Sequence, residues 1–129
     1  DAARPPRILD AGCGTGVSTD YLCHLNPGAE VLAVDISAGA LNLARERLHL
    51  SRGAQQVRSL RQEQRSLLDL NGEGPFDYIN SVGVLHHLRE PLATQGLFHI
   101  ISSSLCVHLC VLVLIYIFSS STPSQILWP

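Results

Sequence analysis

The chain has 129 residues, a net charge of −2 and a sequence pI near 6.3, so it is one domain's length with no general electrostatic attraction for nucleic acid or an anionic membrane. All nine basic residues are arginine, which excludes a P-loop ending in Gly-Lys-Ser/Thr and any Schiff-base lysine. The four cysteines form no C-x-x-C pair and the six histidines fall into no zinc-ligand spacing; no metal site is expected, and the thiols are read as reduced in an intracellular setting.

In chain order, Arg7-Ile-Leu-Asp-Ala11 is a short apolar run closed by Gly12, the pattern of a buried strand. From Thr15 to Leu25, Val17, Tyr21, Leu22 and Leu25 fall at helical spacing before Asn26-Pro27-Gly28 stops the run. A second strand, Glu30 to Val34, ends at Asp35. Ser37 can cap a helix from Ala38 to about Leu50, with Gly53 as its expected stop. A third strand is placed around Val57 to Leu60, and a fourth, with its exit loop, at Phe76 to Leu85. Strands separated by helical segments predict an α/β fold, a Rossmann-like doubly wound parallel sheet.

The chain divides sharply by charge. Every charged residue lies at or before Glu90, whereas folded surfaces are normally about a quarter or more charged. The expected organisation is a partial domain over residues 1–96, an apolar segment over 97–118 and a polar, irregular tail over 119–129. At about 1.5 Å per residue the apolar segment is long enough to cross a bilayer, yet no basic cluster follows it to fix an orientation. A membrane span and an altered chain end are therefore both open readings. The start at Asp1, without an initiator Met, is read as lying inside a longer product.

The chemistry concentrates at Asp10-Ala11-Gly12-Cys13-Gly14-Thr15-Gly16. Glycines at the end of a parallel strand let backbone approach a ligand closely and take up positive φ, and ligands of such sheets sit at the strands' carboxyl ends. Asp35 follows Gly16 by nineteen positions at the end of the next strand, where a carboxylate can accept hydrogen bonds from both ribose hydroxyls. A dinucleotide fingerprint needs Gly or Ala where this chain has Val17. Asp10, two residues before the first glycine, would be a poor neighbour for pyrophosphate; it suits a ligand carrying an ammonium and a sulfonium, as S-adenosylmethionine does.

These residues resemble class I S-adenosylmethionine-dependent methyltransferases. Ile8 to Gly16 is similar to their first motif and Val31 to Ser37 to their second strand with its ribose-binding acid. The resemblance implies that Asp10, Ala11, Gly12, Cys13, Gly14, Thr15 and Gly16 surround the methionine moiety, that Asp35 and Ile36 hold the ribose side, and that Asp69 and Leu70 meet the adenine. The stretch from Phe76 to Leu88 looks like the fourth strand and its loop, and Gly96 to Ile100 like the fifth. Only eleven residues separate Leu85 from Leu97, so the helix usually found there is expected to be deleted and the C-terminal strands missing or altered. The implied activity is methyl transfer from S-adenosyl-L-methionine to an unknown acceptor with no assigned catalytic residue; the alternatives are a nucleotide-binding remnant without catalysis and, against the glycine spacing, a dinucleotide oxidoreductase domain. Plainer roles stand beside these: Cys13 as a small buried residue, Asp69 as a turn residue before Asn71-Gly72, Asp77 as a backbone anchor, His86 and His87 as packing or loop-fixing groups, and Arg58, Arg61 and Arg65 as a solvated face.

Overall fold

The computed structural model describes residues 4–70 and 72–81. The expected fifth strand, His86 and His87, and the segments 97–118 and 119–129 lie outside the described residues. Among the described residues no helix is long and apolar enough to cross a membrane.

Among the described residues, four parallel strands form one sheet: β1 (Arg7–Ala11), β2 (Glu30–Asp35), β3 (Ser59–Gln64) and β4 (Tyr78–Asn80), in the order β3-β2-β1-β4. The chain works outward from β1 through β2 to β3, then returns to pair β4 with the other side of β1. That reversal makes the carboxyl end of β1 a switch point, where an open parallel sheet leaves a crevice for ligand. Period-two alternation gives β1 two apolar faces. Leu9 and Ala11 pack with Leu32, Val34, Leu67, Leu70, Phe76 and Ile79, while Ile8 packs with Leu22, Cys23, Ala29 and Val31.

Helix α1 (Val17–Leu25) forms where its sequence predicts, but its buried side is not the apolar series Val17, Tyr21, Leu25, all three of which are exposed. Thr19, Leu22 and Cys23 turn inward instead. The cause is polar: the hydroxyls of Ser18 and Thr19 bind the Asp10 carboxylate, and that grip fixes the rotation of the helix.

Helix α2 (Ala38–His49) starts at the expected cap, with Ser37 Oγ accepting from the Ala40 amide at 3.2 Å, and buries Leu41, Ala44 and Leu48. Gly53 does not stop it. That glycine lies inside a further short helix, α3 (Arg52–Gln56), where its value is space: a Cβ there would come within 2.7 Å of the His24 nitrogen and 2.8 Å of its Cα. Ser51 caps α3 through the Ala54 amide and donates its hydroxyl to Asp20, so α3 is fastened to α1.

Strand β3 runs two residues later, and four further, than the apolar residues suggest, because backbone pairing with β2 from Glu30↔Ser59 to Asp35↔Gln64 defines it rather than side-chain burial. Arg61 and Arg65 both reach Glu63 and Glu73, and Arg58 lies 3.6 Å from Glu30. The hydrogen bonds from Arg61 and then Arg65 hold the Glu73 carboxyl below the usual carboxylate range. These arginines thus form an ion-paired face rather than a patch awaiting an anion. Asp77 anchors backbone as expected, accepting from the Arg7 amide at 2.8 Å and from both terminal guanidinium nitrogens of Arg4.

Gly53→Ala should destabilise the chain by about 1–3 kcal/mol, the cost of overpacking a closed helix contact. Urea unfolding curves of the two proteins give that difference directly. An unchanged midpoint would show that α1 and α3 separate at little cost.

Candidate functional site

The site is built upward from Asp10. Its side chain sits at the carboxyl end of the central strand β1 and is only 1% exposed. A buried carboxylate is costly unless hydrogen-bonded, and this one is satisfied on both oxygens. Oδ2 accepts from Ser18 Oγ at 2.8 Å and Thr19 Oγ1 at 2.6 Å, and Oδ1 accepts from Asn80 Nδ2 at 2.9 Å. Three elements, β1, α1 and β4, therefore meet at one side chain. All three donors are neutral.

Held at both ends, residues 12–16 fold into a tight loop. Gly12, Gly14 and Gly16 all take positive φ, at 80°, 54° and 85°. The Gly12 and Cys13 amides donate to the Val34 carbonyl at 2.8 and 2.9 Å, pulling the loop against the end of β2. At Gly16 close packing adds to the backbone requirement, since a Cβ would lie 3.0 Å from both Cα and Cβ of Ala44 in α2. Around Gly14 the reverse holds, because a Cβ there would meet nothing within 4 Å. The loop is closed toward the protein and open on its outer side. Arg47 reinforces it from α2 by donating to the Thr15 carbonyl at 3.1 Å.

Asp35 ends β2 beside this loop. Its Oδ2 accepts the Gly14 amide and its Oδ1 the Ser37 amide, each at 2.8 Å. A carboxylate offers about four acceptor positions, so two remain after the protein's own donors are counted. Ile36 follows, 71% exposed, an apolar side chain presented to solvent next to a carboxylate. The structure thus brings Asp10, residues 11–16, Asp35 and Ile36 together.

Asp69 and Leu70 are placed differently. Asp69 is exposed on a turn closed by its amide to the Ser66 carbonyl at 3.0 Å, while its own carbonyl accepts from Arg65. The Leu70 side chain is buried in the apolar layer with Leu67, Phe76 and Ile79, where the turn at 66–70 closes one face of the sheet. Only its backbone is left to meet a ligand. Sequence reasoning missed Ser18, Thr19 and Asn80. Their signal was present in polar residues within otherwise apolar elements.

An open groove of about 950 Å³ also borders the loop, lined by Gly12 to Thr15 and by Tyr21, His24 and Arg52 among others. It extends along α1 and α3, and its lining does not include Asp35 or Ile36.

Comparison with known proteins is consistent with this geometry. Residues 9–102 match the family model described as a methyltransferase domain, which is more than half of the chain. The chain belongs to the class I S-adenosylmethionine-dependent methyltransferase family. It is 54% identical over 106 residues to an uncharacterized protein of Synechococcus sp., covering 74% of this chain and 25% of that protein. To the malonyl-[acyl-carrier protein] O-methyltransferase of Bacillus cytotoxicus it is 30% identical over 97 residues, covering 70% and 33%. Among solved structures it is similar to the N-terminal domain of EvdMO1 with S-adenosylhomocysteine bound, with a TM-score of 0.65, 27% identity and coverage of 77% of this chain and 40% of that one. A second, PKMT2 from Rickettsia typhi in complex with S-adenosylhomocysteine, gives a TM-score of 0.61, 26% identity and coverage of 76% and 18%. The methyltransferase-domain chain thus spans well under half the length of these relatives.

Within this methyltransferase domain the loop cysteine is no nucleophile. Burial, with the charges of Asp10 and Asp35 adding to it, pushes the Cys13 thiol up to about 12, and burial with Asp20 and Asp10 takes Cys23 to about 11. A thiol raised so far stays protonated at pH 8. Iodoacetamide at that pH should therefore leave Cys13 and Cys23 unmodified in the native protein and label both in denaturant, as read by peptide mass spectrometry. Rapid native labelling of Cys13 would contradict the buried placement.

Proposed function

We propose that the protein carrying this chain transfers a methyl group from S-adenosyl-L-methionine to an acceptor, and that residues 11–16 with Asp35 and Ile36 hold the cofactor, with Asp10 shaping the loop behind it. The observation that carries the reading is the Asp35 carboxylate, fixed at the end of β2 by the Gly14 and Ser37 amides with two acceptor positions to spare beside a loop whose outer face is open. The matched family and the S-adenosylhomocysteine held by the two similar structures support the same ligand class.

The residues fit that group. Asp35 has acceptor capacity for two ribose hydroxyls, the exposed Ile36 offers an apolar surface for the base, and the glycine loop admits close approach of the amino-acid end. Asp10 is too buried for direct contact at the surface of the loop; it sets the loop's shape and contributes negative charge behind it, which favours a cationic ligand. When bound, the cofactor supplies an electrophilic methyl group on a sulfonium. The chain's own task is then to hold that group in line with the acceptor and to keep water away, which requires positioning more than a strong acid or base.

Isothermal calorimetry tests the proposal. Asp35→Ala should weaken S-adenosylhomocysteine binding by about 1–3 kcal/mol, the range for hydrogen bonds to a charged group, and should leave unchanged the binding of an analogue lacking both ribose hydroxyls. Tighter binding of NAD than of either S-adenosyl ligand would overturn the cofactor assignment.

A further inference from the structure

Helix α2 grips the glycine loop at three consecutive residues. At Gly14 the link runs through Asp35, which accepts from the Gly14 amide and from the Ser37 amide at the start of α2, each at 2.8 Å. At Gly16 the link is steric, because Ala44 of α2 occupies the space a side chain there would need. Between them comes Arg47, whose Nε donates to the Thr15 carbonyl at 3.1 Å. Ala44 and Arg47 are three residues apart and so share one face of the helix.

The Arg47 contact is unlike those of the other arginines around it. Arg4, Arg58, Arg61 and Arg65 reach acidic side chains, whereas Arg47 reaches a backbone carbonyl of the loop. That carbonyl belongs to the peptide unit whose amide, on Gly16, donates to the Cys13 carbonyl at 3.0 Å. Both polar atoms of the unit are therefore held, one from within the loop and one from α2. Thr15 itself is exposed and stands between glycines at φ 54° and 85°, residues with more backbone freedom to lose than any other. A ligand that needs the loop in one shape must supply whatever ordering the protein has not already supplied.

We propose that Arg47 is a positioning residue of the site: its Nε–H, rather than its charge, presets the loop for the amino-acid end of an S-adenosyl ligand, a role that rests on the cofactor reading above. A competing role is helical. Arg47 lies in the last turn of α2, where any positive charge is favoured by the helix dipole. Side-chain chemistry separates the two, because glutamine carries its amide nitrogen as many bonds from Cα as arginine carries Nε. Arg47→Gln keeps a donor at that position and removes the charge, and Arg47→Met removes both.

Calorimetry and thermal unfolding of the full chain and its two variants test the proposal. Arg47→Met should weaken S-adenosylhomocysteine by about two- to tenfold, the effect of one lost neutral-acceptor hydrogen bond, while Arg47→Gln keeps most of the original affinity. Both variants lose the same helix-end charge, so their thermal midpoints should agree with each other even as their affinities differ. The compound 5′-methylthioadenosine, which keeps the nucleoside and lacks the amino acid, should bind all three proteins alike. Unchanged affinity in Arg47→Met, an Arg47→Gln variant as weak as Arg47→Met, or equal weakening of both ligands would each overturn the positioning role while leaving the cofactor reading standing. If the unmodified chain does not bind S-adenosylhomocysteine, the cofactor reading fails and this role with it.

Discussion

A carboxylate buried at the centre of a parallel sheet must be met by donors, and in this chain Asp10 is met by three of them from two other elements. Much of the architecture around the site follows from that requirement. Ser18 and Thr19 can reach Asp10 only if the first turn of α1 faces β1, which brings Thr19, Leu22 and Cys23 inward and leaves Val17, Tyr21 and Leu25 outside. Asn80 can reach it only if β4 lies beside β1 with residue 80 level with residue 10. Between the strand and the helix so fixed, five residues must reverse direction, and glycines at positive φ allow it. Because the donors are neutral, removing any one leaves the carboxylate short of a partner, and each such loss costs about 1–3 kcal/mol.

Asp35 performs the complementary task at the surface. It bonds the loop at Gly14 and the start of α2 through Ser37, so one side chain joins the two turns that frame the crevice. The difference between the acids follows from exposure: the buried carboxylate is bonded on both oxygens and shapes the loop, whereas the half-buried one has two acceptor positions left over. Fixing donors and acceptors before ligand arrives reduces the ordering cost of binding.

The order of strands and helices through α2 was legible in the sequence because local signals agreed: an apolar run ending in glycine, a Ser37 cap and a strand closing on Asp35. Legibility failed where long-range contacts decided the outcome. β3 is a polar edge strand among the described residues, held by backbone pairing and by arginine–glutamate contacts rather than by an apolar pattern. Gly53 looked like a helix stop, yet its partner is His24, far away in sequence. The site shows the same split. Spacing placed the glycine loop at the end of β1 and Asp35 at the end of β2, since both depend on neighbours along the chain, while the grip of Ser18 and Thr19 on Asp10 exists only once α1 packs on β1, and that of Asn80 only once β4 is docked.

The central claim is that the loop held by Asp10, together with the end of β2, forms the binding surface for an S-adenosyl ligand. Backbone amide chemical shifts of the ¹⁵N-labelled chain during titration with S-adenosylhomocysteine test it residue by residue. The account predicts saturable shifts at Gly12, Cys13, Gly14, Thr15, Asp35 and Ile36, with the amides of α3 little changed. Saturable shifts confined to the groove around Tyr21, His24 and Arg52, with Asp35 and Ile36 unmoved, would contradict it.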